Sequence, residues 1–390
     1  MRLVPPLLAA ALALTLPAGI PSAASTVAAP SDQATTVAER KVPTLKVKKL
    51  VRKLDQPWDV RSIGKGRLLF TQRDRATLSV WRNGKTRKVK GFPSRRIWVS
   101  GETGLTGMTV DPDYDTNRRV YTCQGWRFGA GKHDVRVIAW RLDARARHAR
   151  KVKTLVKGFP TTSGRHGGCR LLIAADGSLL VGTGDAAQGT NPRNLDSLGG
   201  KTLRLNRFTG KPWPTNKYAG ASTKRRYVHT YGHRNVQGLA QREDGTLWSM
   251  EHGPTRDDEV NRLVNGGDYG WHPVPGYNES VPMTDKSLPG KQFAARWRSG
   301  FPTVATSGGT FVNGSKWGAY DGALAVACLA GSRVLFLTFD AKGKLVRKRV
   351  PKVLRQYGRM RQVVQAPDGN LLIVTGNGGG RDFILRVRPA

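Results

Sequence analysis

Residues Ala175–Asp185 read ADGSLLVGTGD, a tight-turn signal followed at once by a short apolar run. Asp-Gly suits a hairpin because Gly takes positive φ without steric cost and Asp hydrogen-bonds to its own backbone. The same order recurs as KGRLLFTQRD from Lys65, DPDYDTNRRVYTCQ from Asp111, EDGTLWSMEHG from Glu243, YDGALAVACLAG from Tyr320 and PDGNLLIVTGNG from Pro367. These make six units, about 45 to 75 residues apart, with further β-type runs (TLSVW, DVRVIAW, VLFLTF) in the gaps. Almost no stretch carries helical apolar spacing over a dozen residues. With 46 glycines, the pattern predicts an all-β fold, a six-bladed β-propeller with four-stranded antiparallel blades. A β-helix, the other repeat architecture, would show shorter and more uniform repeats.

In a propeller the loops at one end of every blade converge on the central channel, so residues far apart in sequence meet there. Four loops carry more chemistry than a turn needs: GETGLTG (Gly101–Gly107), GRHGGCR (Gly164–Arg170), YGHRN (Tyr231–Asn235) and GRMRQ (Gly358–Gln362). Each lies one strand upstream of its repeat hairpin, so all four should open on the same face. The resulting mouth, with Glu102, His166, Arg170, Arg234, Asn235, Arg359 and Arg361, is cationic and suits a small polyanion, since guanidinium forks pair with carboxylates or phosphates. A solvated surface role is the plain alternative for any one Arg in so basic a chain; recurrence at four equivalent places argues against it.

A second constellation is EHGPTRDDEVNRLVNGGDYGWHP (Glu251–Pro273), where Glu251, Asp257, Asp258 and Glu259 gather in a chain short of acid. Carboxylates beside Gly and Pro, which expose backbone carbonyls, offer the hard oxygen ligands that Ca²⁺ takes, although the spacing is not that of an EF-hand. A salt-bridged loop would look the same in composition.

The bulk properties restrict the setting. The first residues, MRLVPPLLAAALALTLPAGIPSAAS, hold one Arg, an apolar run and a small-residue site at Ser22–Ala24, which reads as a secretory signal over 1–24. Residues 25–45, rich in Ala, Thr, Ser and Pro, read as a disordered linker, and 46–390 as the propeller domain. No membrane-spanning run follows, so the expected product is secreted or associated with the cell envelope. Lys plus Arg number 65 against 27 Asp plus Glu, a net charge of +38. Scattered along an exported chain, that charge argues for attraction to anionic cell-envelope polymers rather than a dedicated nucleic-acid role. Cys123, Cys169 and Cys328 allow one disulfide with one thiol left over; sequence does not settle the pairing, and Cys123 with Cys169 is preferred.

The run GHRNVQGLAQREDGTLWSMEHGPTRDDEVNRLVNGGDYGWHP resembles the signature of the pyrroloquinoline-quinone (PQQ)-dependent sugar dehydrogenases, the soluble glucose, aldose and sorbosone dehydrogenase family. So do LDQPWDV, GETGLTGMTVDPDYDTNRRVY, HGGCRLLIAADGSLLVGTGD, NLDSLGGKTLRLNRFTG and RMRQVVQAPDGNLLIVTG, in order from Leu54 to Val387. The resemblance implies a six-bladed propeller and an exported oxidoreductase. Such an enzyme oxidises the anomeric C–OH of an aldose to a lactone, with hydride passing to PQQ and electrons to an external acceptor. It implies that His166 is the general base, a task suited to a neutral imidazole. Arg234 and Asn235 then hold the cofactor, with Arg234 beside the reacting quinone oxygen, and Arg359 and Arg361 clamp its carboxylates. The backbone carbonyls of Gly253 and Pro254 match ligands of a Ca²⁺ on the cofactor, Glu259 with the backbone of Tyr269 matches a structural Ca²⁺ site, and Glu102 matches a polar residue beside the sugar.

Three positions depart from the family pattern. Ala330 stands where glucose-oxidising members place a Lys on the cofactor, Arg165 precedes the base where an acid is frequent, and Cys169 replaces a usual Gly. Two other functions fit a propeller: a cofactor-less module binding anionic glycopolymers through its basic face, and a calcium-dependent lactonase, which would need several carboxylates around the channel.

Overall fold

The computed structural model describes Met1 and residues 40–390. The signal reading for 1–24, Met1 aside, and the linker reading up to residue 39 lie outside the described residues; the linker ends one residue early, because a strand already begins at Leu45.

Each of the six repeat turns closes the hairpin between the first two strands of a sheet, and the six sheets form a six-bladed propeller. The first, channel-facing strands are Pro57–Ser62, Leu105–Val110, Arg170–Ile173, Val236–Gln241, Thr306–Phe311 and Met360–Gln365. Numbered in that order, blades 1, 2, 4, 5 and 6 are four-stranded and antiparallel, and blade 3 carries a fifth short strand, Gly267–Asp268, paired in parallel with Val228–Tyr231. Ring closure joins the two ends of the domain: Leu45–Leu54 is the outermost strand of blade 6, with Leu45 opposite Pro389 and Val47 opposite Val387.

Both faces of each blade are covered, so the middle strands read as continuous apolar runs such as LAVAC (Leu324–Cys328) and LLIVT (Leu371–Thr375), buried throughout. Six apolar clusters result, one between each pair of neighbouring blades, and together they take the place of a single central core. The centre is polar instead. Asp59 of blade 1 accepts hydrogen bonds from Arg170 Nη1 of blade 3 (2.8 Å), the backbone N–H of Met108 of blade 2 (3.2 Å) and Gln362 Nε2 of blade 6 (3.4 Å). One fully buried carboxylate thus ties four blades.

Cys123 and Cys169 form the disulfide, and Cys328 is free and buried. The bridge joins the second strand of blade 2 to the loop that enters blade 3, three residues after His166. Cys169 has φ +77°, a left-handed conformation that favours glycine. Closing a loop of 46 residues restricts the unfolded chain. The Cys123→Ala, Cys169→Ala double variant is therefore expected to lose about 2–4 kcal/mol in a denaturant titration. An unchanged midpoint would show that the bridge adds nothing to stability.

Candidate active site

Five of the six inner hairpins slip register near the start of the inner strand, between Pro57 and Val60, Leu105 and Met108, Val236 and Gly238, Thr306 and Gly309, and Met360 and Gln362. Such bulges re-aim side chains beside a site, and the loops of interest enter these strands at the same end.

His166 sits on the loop into blade 3 with φ +52°, an uncommon backbone for a residue with a Cβ, and its side chain is buried. Both of its hydrogen bonds use Nδ1, to Asp185 Oδ1 (2.8 Å) and Tyr277 OH (2.9 Å). Asp185 is the end of the strand-turn unit quoted first, and its other oxygen accepts from Tyr277 OH (2.8 Å) and Trp271 Nε1 (2.9 Å). A carboxylate at Nδ1 holds the proton there and leaves Nε2 as the basic nitrogen. Burial, then the Asp185 carboxylate, push the Tyr277 hydroxyl pKa up, so it stays a donor. Gly184 makes the pairing possible: a Cβ there would lie 1.9 Å from the His166 carbonyl oxygen.

The fourth-blade loop packs directly against this pair, with Asp185 N–H donating to Arg234 O (2.8 Å). Asn235 is fully buried; its amide donates to Glu102 Oε2 (3.0 Å), while its oxygen accepts from Gly168 N–H and Gln237 Nε2, each at 3.2 Å. Arg234 N–H donates to Glu251 Oε2 (2.9 Å), and its guanidinium reaches His252 O (3.2 Å) and Glu279 Oε1. Glu279 also accepts from Arg165 (2.6 Å). Burial opposes ionisation of Glu279, but the two guanidinium groups outweigh it and hold the carboxyl below its usual range.

Arg361 and Arg359 diverge. Arg361 is buried and donates to Gln237 Oε1 (3.1 Å) and Ser307 Oγ (3.4 Å), with no ion-pair partner among the described residues. Burial, then the nearby Arg73 and Arg170 cations, push its pKa down to about 9. Arg359 is exposed, and only its backbone is anchored, to Asn377 Oδ1 (2.9 Å). Arg170 is spent on Asp59, its cation 3.9 Å over the Trp58 ring. Ala330 lies exposed in the turn after the second strand of blade 5, at the same end as the mouth.

Several polar atoms here are buried without a partner among the described residues: Arg234 Nε, Arg170 Nη2 and His252 Nε2. Burial, then Arg361, Arg234 and His166, lower the His252 pKa well below its usual value, so this ring is neutral. The partnerless Nε of Arg234, and Arg361 buried without an ion pair among the described residues, fit a ligand with several carboxylates.

The acidic stretch separates into different roles. Asp258 is engaged with the backbone, accepting from Gly253 N–H (3.0 Å) and Val304 N–H (2.6 Å), so it shapes the loop. The carbonyls of Gly253 and Pro254, and that of Tyr269, accept no hydrogen bond among the described residues. Gly253 is required where it stands, since a Cβ would meet the Arg256 carbonyl oxygen at 1.9 Å. Glu259 and Glu251 are neighbouring buried carboxylates, bridged by Asn261 Nδ2 (3.3 and 2.9 Å). Burial, then the Glu251 charge, push Glu259 up, which a bound cation would relieve. Free carbonyls and crowded carboxylates fit Ca²⁺, although no group of three or more His, Cys, Asp or Glu side chains among the described residues is placed to hold a metal.

Asp185, Tyr277, Trp271 and Glu279 escaped the sequence reading as functional residues. Asp185 was visible only as the end of a repeat unit, and the other three lie in a segment without periodicity. The model of the family described as Glucose / Sorbosone dehydrogenase matches residues 54–386. The chain belongs to that family. An aldose sugar dehydrogenase of Escherichia coli (strain K12) is 29% identical over 358 residues, 89% of this chain and 93% of that protein. The soluble Escherichia coli aldose sugar dehydrogenase in its apo form superposes with a TM-score of 0.79 at 27% identity, covering 89% of this chain and all of that one (100%). The PQQ-bound aldose sugar dehydrogenase of Streptomyces coelicolor gives 0.72 at 28% identity, covering 89% and 99%. As a sugar dehydrogenase of this family, the chain is an enzyme with its mouth at the end where the matched motifs converge.

Proposed function

We propose that this protein oxidises the anomeric C–OH of an aldose to the lactone, using PQQ and Ca²⁺ and passing the electrons to an external acceptor. The observation that carries the reading is the His166–Asp185 pair set among incompletely paired, buried guanidinium groups. When bound, PQQ supplies the hydride acceptor and Ca²⁺ the Lewis acid beside it. Arg361, Arg234 and Asn235 would hold the cofactor, and the carbonyls of Gly253 and Pro254 the ion. His166 Nε2 would take the hydroxyl proton, with Asp185 stabilising the imidazolium that results. Glu102, already fixed by Asn235, would orient the sugar. Arg234 would place positive charge where negative charge develops. The test is to add PQQ and Ca²⁺ to purified protein and follow dye reduction over a panel of aldoses. Reduction with at least one aldose, dependent on both additions, is expected. Saturable PQQ binding without turnover on any aldose, or no binding at all, would overturn the proposal.

The unequal environments of the two arginines give a sharper expectation. Arg361→Met should weaken PQQ binding about 10- to 150-fold, the equivalent of a charge-assisted hydrogen bond. It should leave the apo-protein as stable as wild type or more so, because a buried cation without a carboxylate costs solvation. Arg359→Ala, on an exposed side chain, should weaken binding less; the reverse order in a fluorescence titration would displace Arg361 from the clamp.

For the second ion, Glu259 and the Tyr269 carbonyl are the proposed ligands. Thr284 donates to Glu259 Oε1 (3.0 Å) and packs beside Gly270, and Arg298 Nε lies 3.3 Å from the same Glu259 oxygen, so a bound ion would share this carboxylate with a guanidinium. Chelator should lower the melting temperature, and Ca²⁺ but not Mg²⁺ should restore it, with about 2.7 kcal/mol recovered at a hundredfold excess over Kd. Identical melting curves would remove the site. Export is part of the same proposal and rests on residues 1–24; cell fractionation tests it.

A further inference from the structure

At the other end of the propeller lies a feature unrelated to the mouth. In an antiparallel blade the turns between strands one and two and between strands three and four share an end, opposite the loops that carry His166 and Arg234 and the strand start that carries Arg361. A groove of about 660 Å³ opens there between blades 1 and 2. Lys65 comes from the first such turn of blade 1, Arg82 and Lys85 flank its second, Arg87 follows on the edge strand, and Arg145 and Arg147 come from the matching turn of blade 2. All six are exposed, and among the described residues none of these side chains has an ion-pair or hydrogen-bond partner. The groove lining contains no Asp or Glu and no aromatic residue.

The floor is built rather than incidental. Arg67 is buried, and its guanidinium donates to the carbonyls of Gly64 (3.3 Å), Ile63 (3.2 Å) and, across the blade junction, Ala144 (3.1 Å). Lys90 N–H donates to Arg147 O (2.8 Å) and Ala149 N–H to Lys90 O (2.8 Å), stitching the two blades along the groove. Register sets Arg82 opposite Lys85 and Val80 opposite Arg87, so Lys85 and Arg87 share one side of the edge strand. Among the described residues, exposed cations without an ion pair occur elsewhere too, Lys46 and Lys48 among them; what sets the groove apart is six of them lining one built cleft, whereas Arg136, Arg204 and Arg225 have carboxylate partners in Asp134, Asp176 and Asp196.

We propose that this groove docks a linear polyanion, a polymer carrying phosphate or carboxylate groups along its length. Adjacent like charges on a rigid floor repel one another, and a polymer that neutralises several at once releases its own condensed counter-ions. Without aromatic side chains the groove reads charge rather than rings, which disfavours single-stranded nucleic acid held by base stacking. A polymer held there leaves the opposite mouth open, so the enzyme can be retained on an anionic matrix while it turns over sugar.

The test compares two variants of equal charge. One combines Arg82→Gln, Lys85→Gln, Arg87→Gln and Arg147→Gln; the control combines Lys46→Gln, Lys48→Gln, Lys342→Gln and Lys344→Gln at exposed sites elsewhere. Binding of inorganic polyphosphate, polygalacturonate and duplex DNA is measured at about 0.15 M salt. Wild type should bind polyphosphate or polygalacturonate saturably, the tighter of the two identifying phosphate or carboxylate as the recognised group. The groove variant should lose at least about tenfold in affinity and the control no more than about twofold, both with wild-type melting curves. Equal losses in the two variants, no saturable binding to either polymer, or tighter groove-dependent binding of duplex DNA would overturn the proposal.

Discussion

His166→Ala is expected to reduce turnover by about 10² to 10⁴, the usual contribution of a positioned general base, while PQQ binding stays within a few-fold of wild type. The separation follows from the geometry. His166 contacts Asp185 and Tyr277, whereas the proposed cofactor clamp is built from Arg361, Arg234 and Asn235 on other loops. Asp185→Asn should show a loss of the same sign with the imidazole still present. An amide can donate to Nδ1, which shifts the ring proton to Nε2 and removes the lone pair that accepts from the sugar. Dye reduction should be normalised to quinone-loaded protein, so that lost binding is not mistaken for lost chemistry. Wild-type turnover in a fully loaded His166→Ala protein would falsify the assignment of the base. A fall in melting temperature with no fall in rate would reduce His166 to a packing residue.

Asp59→Ala is expected to lower the free energy of unfolding by about 3–5 kcal/mol, the cost of leaving one member of a buried ion pair alone. Asp59 and Arg170 have side chains 0% and 1% exposed, so the stranded guanidinium lies away from solvent when the carboxylate is removed. The methyl that remains also leaves the Met108 N–H and Gln362 amide without their acceptor. Asp59→Asn keeps the shape and one acceptor oxygen, so it should fall between the two. The Asp59→Ala, Arg170→Met double variant should be more stable than Asp59→Ala alone, because the stranded cation is gone. Denaturant titrations of the four proteins measure the coupling. A single Asp59→Ala variant with a wild-type midpoint would show that the four blades do not depend on this carboxylate.

The repeat turns were legible because their information is local. DG or a related turn followed by LLVG, LLIV or LAVAC specifies a hairpin within a dozen residues, and six such hairpins set the blade count. Strand direction then placed Glu102, His166, Arg234 and Arg361 at one end, since the first three precede a first strand and Arg361 is the second residue of one. The closing strand was not legible: Leu45–Leu54, with LKVKKLVRKL, alternates charged and apolar residues and carries no mark that its partner is Asp382–Pro389. The division of labour within the acidic cluster was not legible for a related reason. Asp258 and Glu259 are adjacent, yet a strand starts at Glu259, so one carboxylate caps backbone N–H groups in the loop while the other meets Glu251 in the blade.

By itself, the sequence determined the hairpins, their number, the face on which the loops gather and the overall charge, all of which depend on neighbours in the chain or on simple counting. Only the tertiary structure decided which groups are paired. Asp185 lies 19 residues from His166, Tyr277 lies 111 from it, and Arg170 lies 111 from Asp59. Hydrogen bonding and desolvation fall off over a few ångströms of space, without regard to distance along the chain. The orientation of the base, the burial of Arg361 without an ion pair among the described residues and the clear run of cations between blades 1 and 2 therefore exist only once the blades have closed into a ring.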